Sequence, residues 1–418
     1  MDRDAVVYMD YPSGPVLVGR LWSRIRKGRE SASFEYDAGW LARADRFALE
    51  PSLMLAPGPY HAGADRPMFG AIGDSAPDRW GRMLMRRAER KAAQRENRAP
   101  RTLFEMDFLL LVDDEVRAGA LRFSNTEGGP FLAEPGKFRI PPIVELNRLL
   151  SATERVIEDK ETEEDLRLLI APGSSLGGAR PKASVRDAKG RLAIAKFPHR
   201  DDSVNVVLWE GVALTLAARA GIAVPEWRVE SVANRAALVL ARFDRKNGTR
   251  LPFVSAMSML SAADNEPHSY LEIAEALRQY GAAPNEDLRH LWRRVVFNVL
   301  ISNSDDHLRN HGFLYEGPKG WRLSPAYDMN PVPLDVKPRV LSTSIDPDDP
   351  SASIDLAFGV ADYFGLKDKE ARAIASEIAA VVSDWKQVAE KTGLTRAEID
   401  RMASAFEHDD LDKARAAA

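Results

Sequence analysis

The spacing of apolar and polar positions changes twice along the chain. Ala5-Val6-Val7-Tyr8-Met9 and Pro15-Val16-Leu17-Val18-Gly19-Arg20-Leu21-Trp22 read as short strands, separated by the turn cluster Tyr11-Pro12-Ser13-Gly14. Ser33-Phe34-Glu35-Tyr36-Asp37 has the period-two pattern of a half-buried strand. Phe69-Gly70 then runs through Arg82 into a helix, with Ser75 as the expected N-cap and Pro77 in its first turn. Ile143, Leu146, Leu149 and Leu150, and later Leu166, Leu168 and Leu169, recur at helical spacing around an acidic run, 158–165, expected to be a loop or helix start. After a Gly/Ser-rich loop come strands at Ala183-Ser184-Val185-Arg186 and Leu192-Ala193-Ile194-Ala195-Lys196-Phe197. A helix near 205–220 and a strand at Ala237-Leu238-Val239-Leu240-Ala241 follow. Beyond about 250 the pattern is nearly all helical, closing with Ala-rich helices at 369–388 and 395–406, the latter capped by Thr395. The order is β-rich, then mixed, then helical.

Composition narrows the class. At 418 residues the chain can build two or three packed units. Hydrophobic residues at 45% and charged residues at 29% describe an ordinary globular protein. The absence of cysteine excludes disulfides, thiolate metal sites and cysteine nucleophiles. A formal charge of −4 gives no global reason to bind nucleic acid. Met1-Asp2-Arg3-Asp4 does not open a secretory leader, and no apolar run reaches membrane length, so the expected location is cytoplasmic. One local exception is 79–101, with nine Arg/Lys against Glu89 and Glu96. Its scarcity of aromatic residues favours a solvated helix face over a nucleic-acid patch.

Four features carry chemistry. In Pro172-Gly173-Ser174-Ser175-Leu176-Gly177-Gly178-Ala179-Arg180-Pro181-Lys182, glycines before a strand let backbone N–H groups crowd a phosphate, and Lys182 can add a charge. Lys196 ends the second strand of the following hairpin, where kinases place an ammonium on nucleotide phosphates. Glu210, in the next helix, is spaced to form an ion pair with it. Leu240-Ala241-Arg242-Phe243-Asp244-Arg245 lies where a kinase hinge would read adenine, with Phe243 near the base and Asp244 within reach of the ribose. The strongest feature is Asn303-Ser304-Asp305-Asp306-His307-Leu308-Arg309-Asn310-His311, with Tyr327-Asp328 further on. Phosphoryl transfer needs a carboxylate to take the acceptor's proton, and an amide oxygen and a second carboxylate for Mg²⁺. Asp305 and Asn310 have four residues between them, as those groups do in protein kinases, and Asp328 follows as the second ligand. A transition-metal site at Asp305, Asp306, His307 and His311 is the rival reading. Gly173-Ser174-Ser175-Leu176-Gly177 also spells a nucleophile elbow, but a strand follows it where a helix is required.

The loop Ser174 to Lys182, the run Asn303 to His311, Ala326-Tyr327-Asp328 and the stretch Phe69 to Arg82 together resemble the HipA family of serine/threonine kinases, the toxins of type II toxin–antitoxin systems. The resemblance implies an α+β, bilobal protein-kinase-like fold. Its divisions would be an extra β-rich N-terminal subdomain (1–140), a kinase N-lobe core (141–245) and a helical C-lobe (246–418). It implies ATP and Mg²⁺ as cofactors, Asp305 as catalytic aspartate, and Asn310 and Asp328 as metal ligands. The nucleotide site would comprise Gly177, Gly178, Ala179, Arg180, Pro181, Lys182, Lys196, Ala241, Arg242, Phe243, Asp244, His307, Leu308, Arg309, Asn310, Tyr327 and Asp328. Ser175, beside Ser174, would be the inactivating autophosphorylation site. Implied partners are a helix-turn-helix, HipB-like antitoxin, DNA only through that antitoxin, and a translation-related protein substrate such as an aminoacyl-tRNA synthetase. Asp306 stands where the best-known family loop has glycine, and Arg180-Pro181 replace its Gln-Glu. A small-molecule kinase and a regulatory partner of a DNA-binding protein are the alternatives.

Overall fold

The computed structural model describes residues 3–63, 66–132, 140–170, 178 and 180–417. It is a mixed helix-and-sheet fold in two compact units, residues 1–201 with 230–263 and residues 202–229 with 264–418.

The first unit opens with an antiparallel sheet of β1 (Arg3–Tyr11), β2 (Gly14–Arg26), β3 (Arg29–Tyr36), β4 (Pro59–His61) and β5 (Leu121–Ser124), in the order β4-β3-β2-β1-β5. Val7, Val18, Leu21, Phe34 and Tyr36 are buried, Phe34 and Tyr36 alternating with exposed Glu35. Gly19 is required where β2 crosses β3, because a Cβ there would lie 2.1 Å from the Glu35 carbonyl oxygen. A second sheet contains β6 (Lys182–Arg186), β7 (Leu192–Lys196), β8 (Trp227–Val232) and β9 (Arg235–Ala241), in the order β6-β7-β9-β8. Helices α1 (Arg79–Arg95), α3 (Leu146–Ile157) and α4 (Glu163–Ile170) cover it through Trp80, Leu84, Leu149, Leu150, Leu166 and Leu169, which share a core with Val185, Ala195 and Val239. A short helix α2 (Glu105–Leu111) completes the cover, with Phe108 packed against Met85 and Val116.

The second unit is built on α5 (Val206–Arg219), α6 (Tyr270–Tyr280), α7 (Pro284–Leu300), α8 (Asp368–Val382), α9 (Trp385–Thr392), α10 (Arg396–Phe406) and α11 (Asp409–Arg415). Trp209 of α5 meets Trp385 and Phe406, and those two rings stack at 4.6 Å. A hairpin of β10 (Gly312–Tyr315) and β11 (Trp321–Leu323) interrupts the helices.

Several local expectations shift. After a single helical turn at Gly70–Gly73, the long helix expected here begins at Arg79, and its cap is Asp78, whose carboxylate accepts from the Gly81 amide. Ser75 lies upstream of Pro77, which disfavours helical backbone in its predecessor, and its hydroxyl instead turns to the Ala118 carbonyl. The Ala-rich stretch at 369–388 breaks at Ser383-Asp384 into α8 and α9. Thr395 caps α10 as expected, in a capping box with Glu398. Part of the basic stretch 79–101 is ion-paired: Arg82 with Glu105, Arg87 with Glu161, Arg95 with Glu163, and Arg98 with Glu89. Among the described residues no helix is long and apolar enough to cross a membrane.

Candidate active site

Each unit contributes residues that can be described separately. In the second unit, α7 delivers a tight loop. Ser302 adopts a left-handed backbone, φ 51°, and the chain runs through Asp305 into a single 3₁₀ turn at Leu308–Asn310. Two neighbouring aspartates then part ways. The Asp305 side chain is 72% exposed. Asp306 is buried, and its Oδ2 accepts from Tyr270 Oη (2.5 Å), Asn298 Nδ2 (2.8 Å) and His311 Nε2 (2.7 Å). Burial opposes ionisation of Asp306, but His311 and the Tyr270 hydroxyl outweigh it and hold the carboxyl below its ordinary range. The same burial and the adjacent Asp306 charge push the Tyr270 phenol up. Asp306 and His311 are therefore consumed in a buried network under the loop. Among the described residues no group of three or more His, Asp or Glu side chains is arranged to hold a metal ion, which removes support for the transition-metal reading.

Asn310 is also buried. Its Nδ2 donates to the Asp305 carbonyl at 3.3 Å, while its Oδ1 has no hydrogen-bond partner among the described residues. A buried acceptor left open in this way is costly unless something else satisfies it. Asp328 sits at φ 61°, a left-handed conformation uncommon for a residue with a side chain. One amide oxygen and one carboxylate suit Mg²⁺, which takes few protein ligands and completes its shell with phosphate and water. Of the other residues expected here, Leu308 is buried, Tyr327 donates to the Arg309 carbonyl (2.7 Å), and Arg309 pairs with Asp264 (2.8 Å). Among the described residues His307 Nδ1 is buried without a hydrogen-bond partner.

In the first unit, Gly177, Ala179, Ser174 and Ser175 lie outside the described residues. Gly178, Arg180 and Pro181 lead into β6, where Lys182 is cross-strand neighbour to Lys196. Lys182, expected as a phosphate charge, is buried in an ion pair. Its ammonium is only 4% exposed, 2.7 Å from Asp78 Oδ2 and 3.0 Å from the Gly178 carbonyl, while its own carbonyl accepts from Trp80 Nε1 (3.1 Å). The stretch 69–82 thus does its work by clamping the end of the Gly-rich loop to the start of α1. Lys196 closes β7, half-buried, and Glu210 is a buried carboxylate of α5 in the other unit.

The segment after β9, expected as the hinge, is held by buried ion pairs. Asp244 is fully buried and pairs with Arg242 (2.5 Å), Arg245 (2.8 Å) and the Gly119 amide (2.8 Å). Burial opposes that ionisation, yet the two guanidiniums hold the carboxyl far below its ordinary value. Arg242 continues to the Val116 carbonyl (2.9 Å). Both side chains fasten the segment to the 116–119 turn. Ala241 ends the strand, and the Phe243 ring stands 6.0 Å from Phe253.

The chain matches the HipA-like C-terminal domain over residues 174–385. It is 26% identical over 346 residues to Y4mE of Sinorhizobium fredii, named as a candidate kinase, covering 74% of this chain and 75% of that one. A Haemophilus influenzae protein, also named as a candidate kinase, is 30% identical over 119 residues, covering 26% of this chain and 34% of that one. Among solved structures, HipA of Shewanella oneidensis MR-1, in complex with HipB and its operator DNA, superposes on 99% of this chain and 96% of its own. The TM-score is 0.67 at 16% identity, which establishes a shared fold.

Proposed function

The chain belongs to the HipA family, and from that premise we propose that it is an ATP- and Mg²⁺-dependent serine/threonine protein kinase, the toxin of a type II toxin–antitoxin pair. The observation that carries the reading is the contrast along one loop. An exposed Asp305 carboxylate stands next to a buried, fully bonded Asp306, and five residues on, Asn310 offers an open buried oxygen. Asp305 orients the acceptor hydroxyl and receives its proton, and Asn310 and Asp328 hold the cation against the phosphates. Bound Mg²⁺ supplies charge neutralisation on the transferred group. Lys196 anchors the nucleotide phosphates. Gly177 to Pro181 form the phosphate loop, backbone groups of Ala241 to Phe243 read the base, and His307 to Arg309 with Tyr327 line the site. Most of the catalysis is positioning and electrostatics.

On this reading residues 1–140 are the family's N-terminal subdomain, 141–245 the N-lobe core and 246–418 the C-lobe, in a cytoplasmic protein. The inferred partner is a HipB-like helix-turn-helix antitoxin, with DNA contacted only through it; the Shewanella HipA structure that shares the fold was solved with HipB and its operator DNA. The substrate is a translation-related protein, and phosphorylation of Ser175 shuts the enzyme off by placing about −1.5 to −2 charges beside the phosphate loop. The test is labelling with γ-labelled ATP and Mg²⁺, with intact mass measured before and after phosphatase. Label or pre-existing phosphate at Ser174 or Ser175 in wild type, absent from Asp305→Asn, is the expected result. No label, no prior phosphate and no ATP binding would remove the kinase reading.

A further inference from the structure

The segment that follows Asp328 is stitched to the Asp305 loop. The Val332 amide donates to the Ser302 carbonyl (3.2 Å). Arg339 donates to the Val299 carbonyl (2.9 Å) and the Ser302 hydroxyl (3.1 Å), and pairs with Asp410 (2.6 Å). Ser342 gives both its amide (3.1 Å) and its hydroxyl (3.0 Å) to the Ser304 carbonyl. Between these anchors the amides of Val336 and Lys337 close a turn on the Pro333 carbonyl. That turn presents Lys337, whose ammonium donates to the Ser304 carbonyl (3.2 Å) and stands 3.7 Å from Asp305 Oδ1.

An ion pair on an open surface contributes little, because two long side chains must be ordered against water. Lys337 differs in one respect: its backbone is fixed by bonds on both sides, and its ammonium is held by a main-chain carbonyl as well as by the carboxylate. We propose that Lys337 is a positioning residue of the transfer step. It fixes the rotamer of the otherwise exposed Asp305 carboxylate so that it faces an incoming hydroxyl. Neither the spacing of Asp305, Asn310 and Asp328 nor any motif in the sequence marks this lysine. It comes from a segment more than thirty residues downstream of Asp305 and is brought back by the anchors at Arg339 and Ser342.

The inference rests on the kinase reading, and the experiment separates the two. Phosphatase-treated wild type, Lys337→Met and Lys337→Arg are labelled in single turnover with γ-labelled ATP and Mg²⁺ across a range of ATP concentrations. In Lys337→Met the limiting rate should fall about tenfold or more, with half-saturating ATP unchanged within about twofold, as for a group that acts on geometry rather than nucleotide affinity. Lys337→Arg, which keeps the charge, should recover part of the rate, and all three proteins should unfold at the same temperature. A wild-type limiting rate in Lys337→Met overturns the proposal while leaving the kinase reading intact. A loss expressed only in half-saturating ATP assigns Lys337 to nucleotide binding and overturns it equally. A wild type that neither labels nor binds ATP removes the kinase reading, and the Lys337 proposal with it.

Discussion

Asp305 and Asp306 are chemically identical neighbours with opposite surroundings, and that contrast decides what each can do. Asp306 takes three donors in a buried site, where an uncompensated carboxylate would be very unfavourable. Its role is to fix Tyr270, Asn298 and His311 beneath the loop that exposes Asp305. Removing one member of a buried pair strands the other, at a cost of about 3–5 kcal/mol. Asp306→Ala should therefore lower global stability by that order in urea unfolding and abolish labelling through loss of fold. Asp305→Asn should leave the urea midpoint nearly unchanged and abolish labelling through loss of chemistry. Equal stabilities for the two variants would show that the Asp306 network is not what supports the loop.

Elements in this chain are joined by pairs that lie far apart in sequence. The clearest is the clamp of Asp78, Trp80 and Lys182, where the helix cap of α1 is also the counter-ion of the first residue of β6. Asp78→Ala removes a cap, worth about 0.5–2 kcal/mol, and leaves a buried ammonium poorly compensated, so the total loss should exceed the cap alone. Trp80→Phe keeps the ring's packing and gives up one hydrogen bond, about 1 kcal/mol. Chemical denaturation of both variants checks the order. Helices α3, α4, α5 and α10 and strands β1, β2, β3, β6, β7 and β9 were legible because periodicity is local: Leu146, Leu149 and Leu150 mark α3 without reference to anything else. The Asp305–Asn310 spacing was legible for the same reason. Strand β8 and the hairpin β10–β11 were missed, being too short or too evenly polar to stand out from their neighbours. The ion pairs of Lys182 with Asp78, Asp244 with Arg242 and Lys337 with Asp305 were not legible either, since a charged residue looks the same in sequence whatever it meets.

On the scale of the whole molecule, the chain passes between its two compact units at 201–202, 229–230 and 263–264, so neither unit is a continuous stretch. The second unit is closed by its last elements. Ser302 donates to the Ala405 carbonyl (2.8 Å), Arg339 pairs with Asp410, and Phe406 stacks on Trp385. Between α10 and α11 this closure holds His408. Burial first and then the Arg339 guanidinium depress its imidazole to about 4, against the opposing pull of Asp410 and the carbonyls of Leu300 and Ala405. A histidine whose folded-state pKa lies below its unfolded value favours the fold fully above about pH 6.5. That contribution declines as the pH falls toward 4, because the unfolded chain then binds a proton that the folded one refuses. The same titration would load the closure that carries Arg339, and with it the segment holding Lys337 against Asp305. The unfolding midpoint of wild type should accordingly drop between pH 7 and pH 5 more steeply than that of His408→Gln, which cannot titrate. Parallel pH profiles for the two proteins would show that His408 is not the group through which acid loosens this unit.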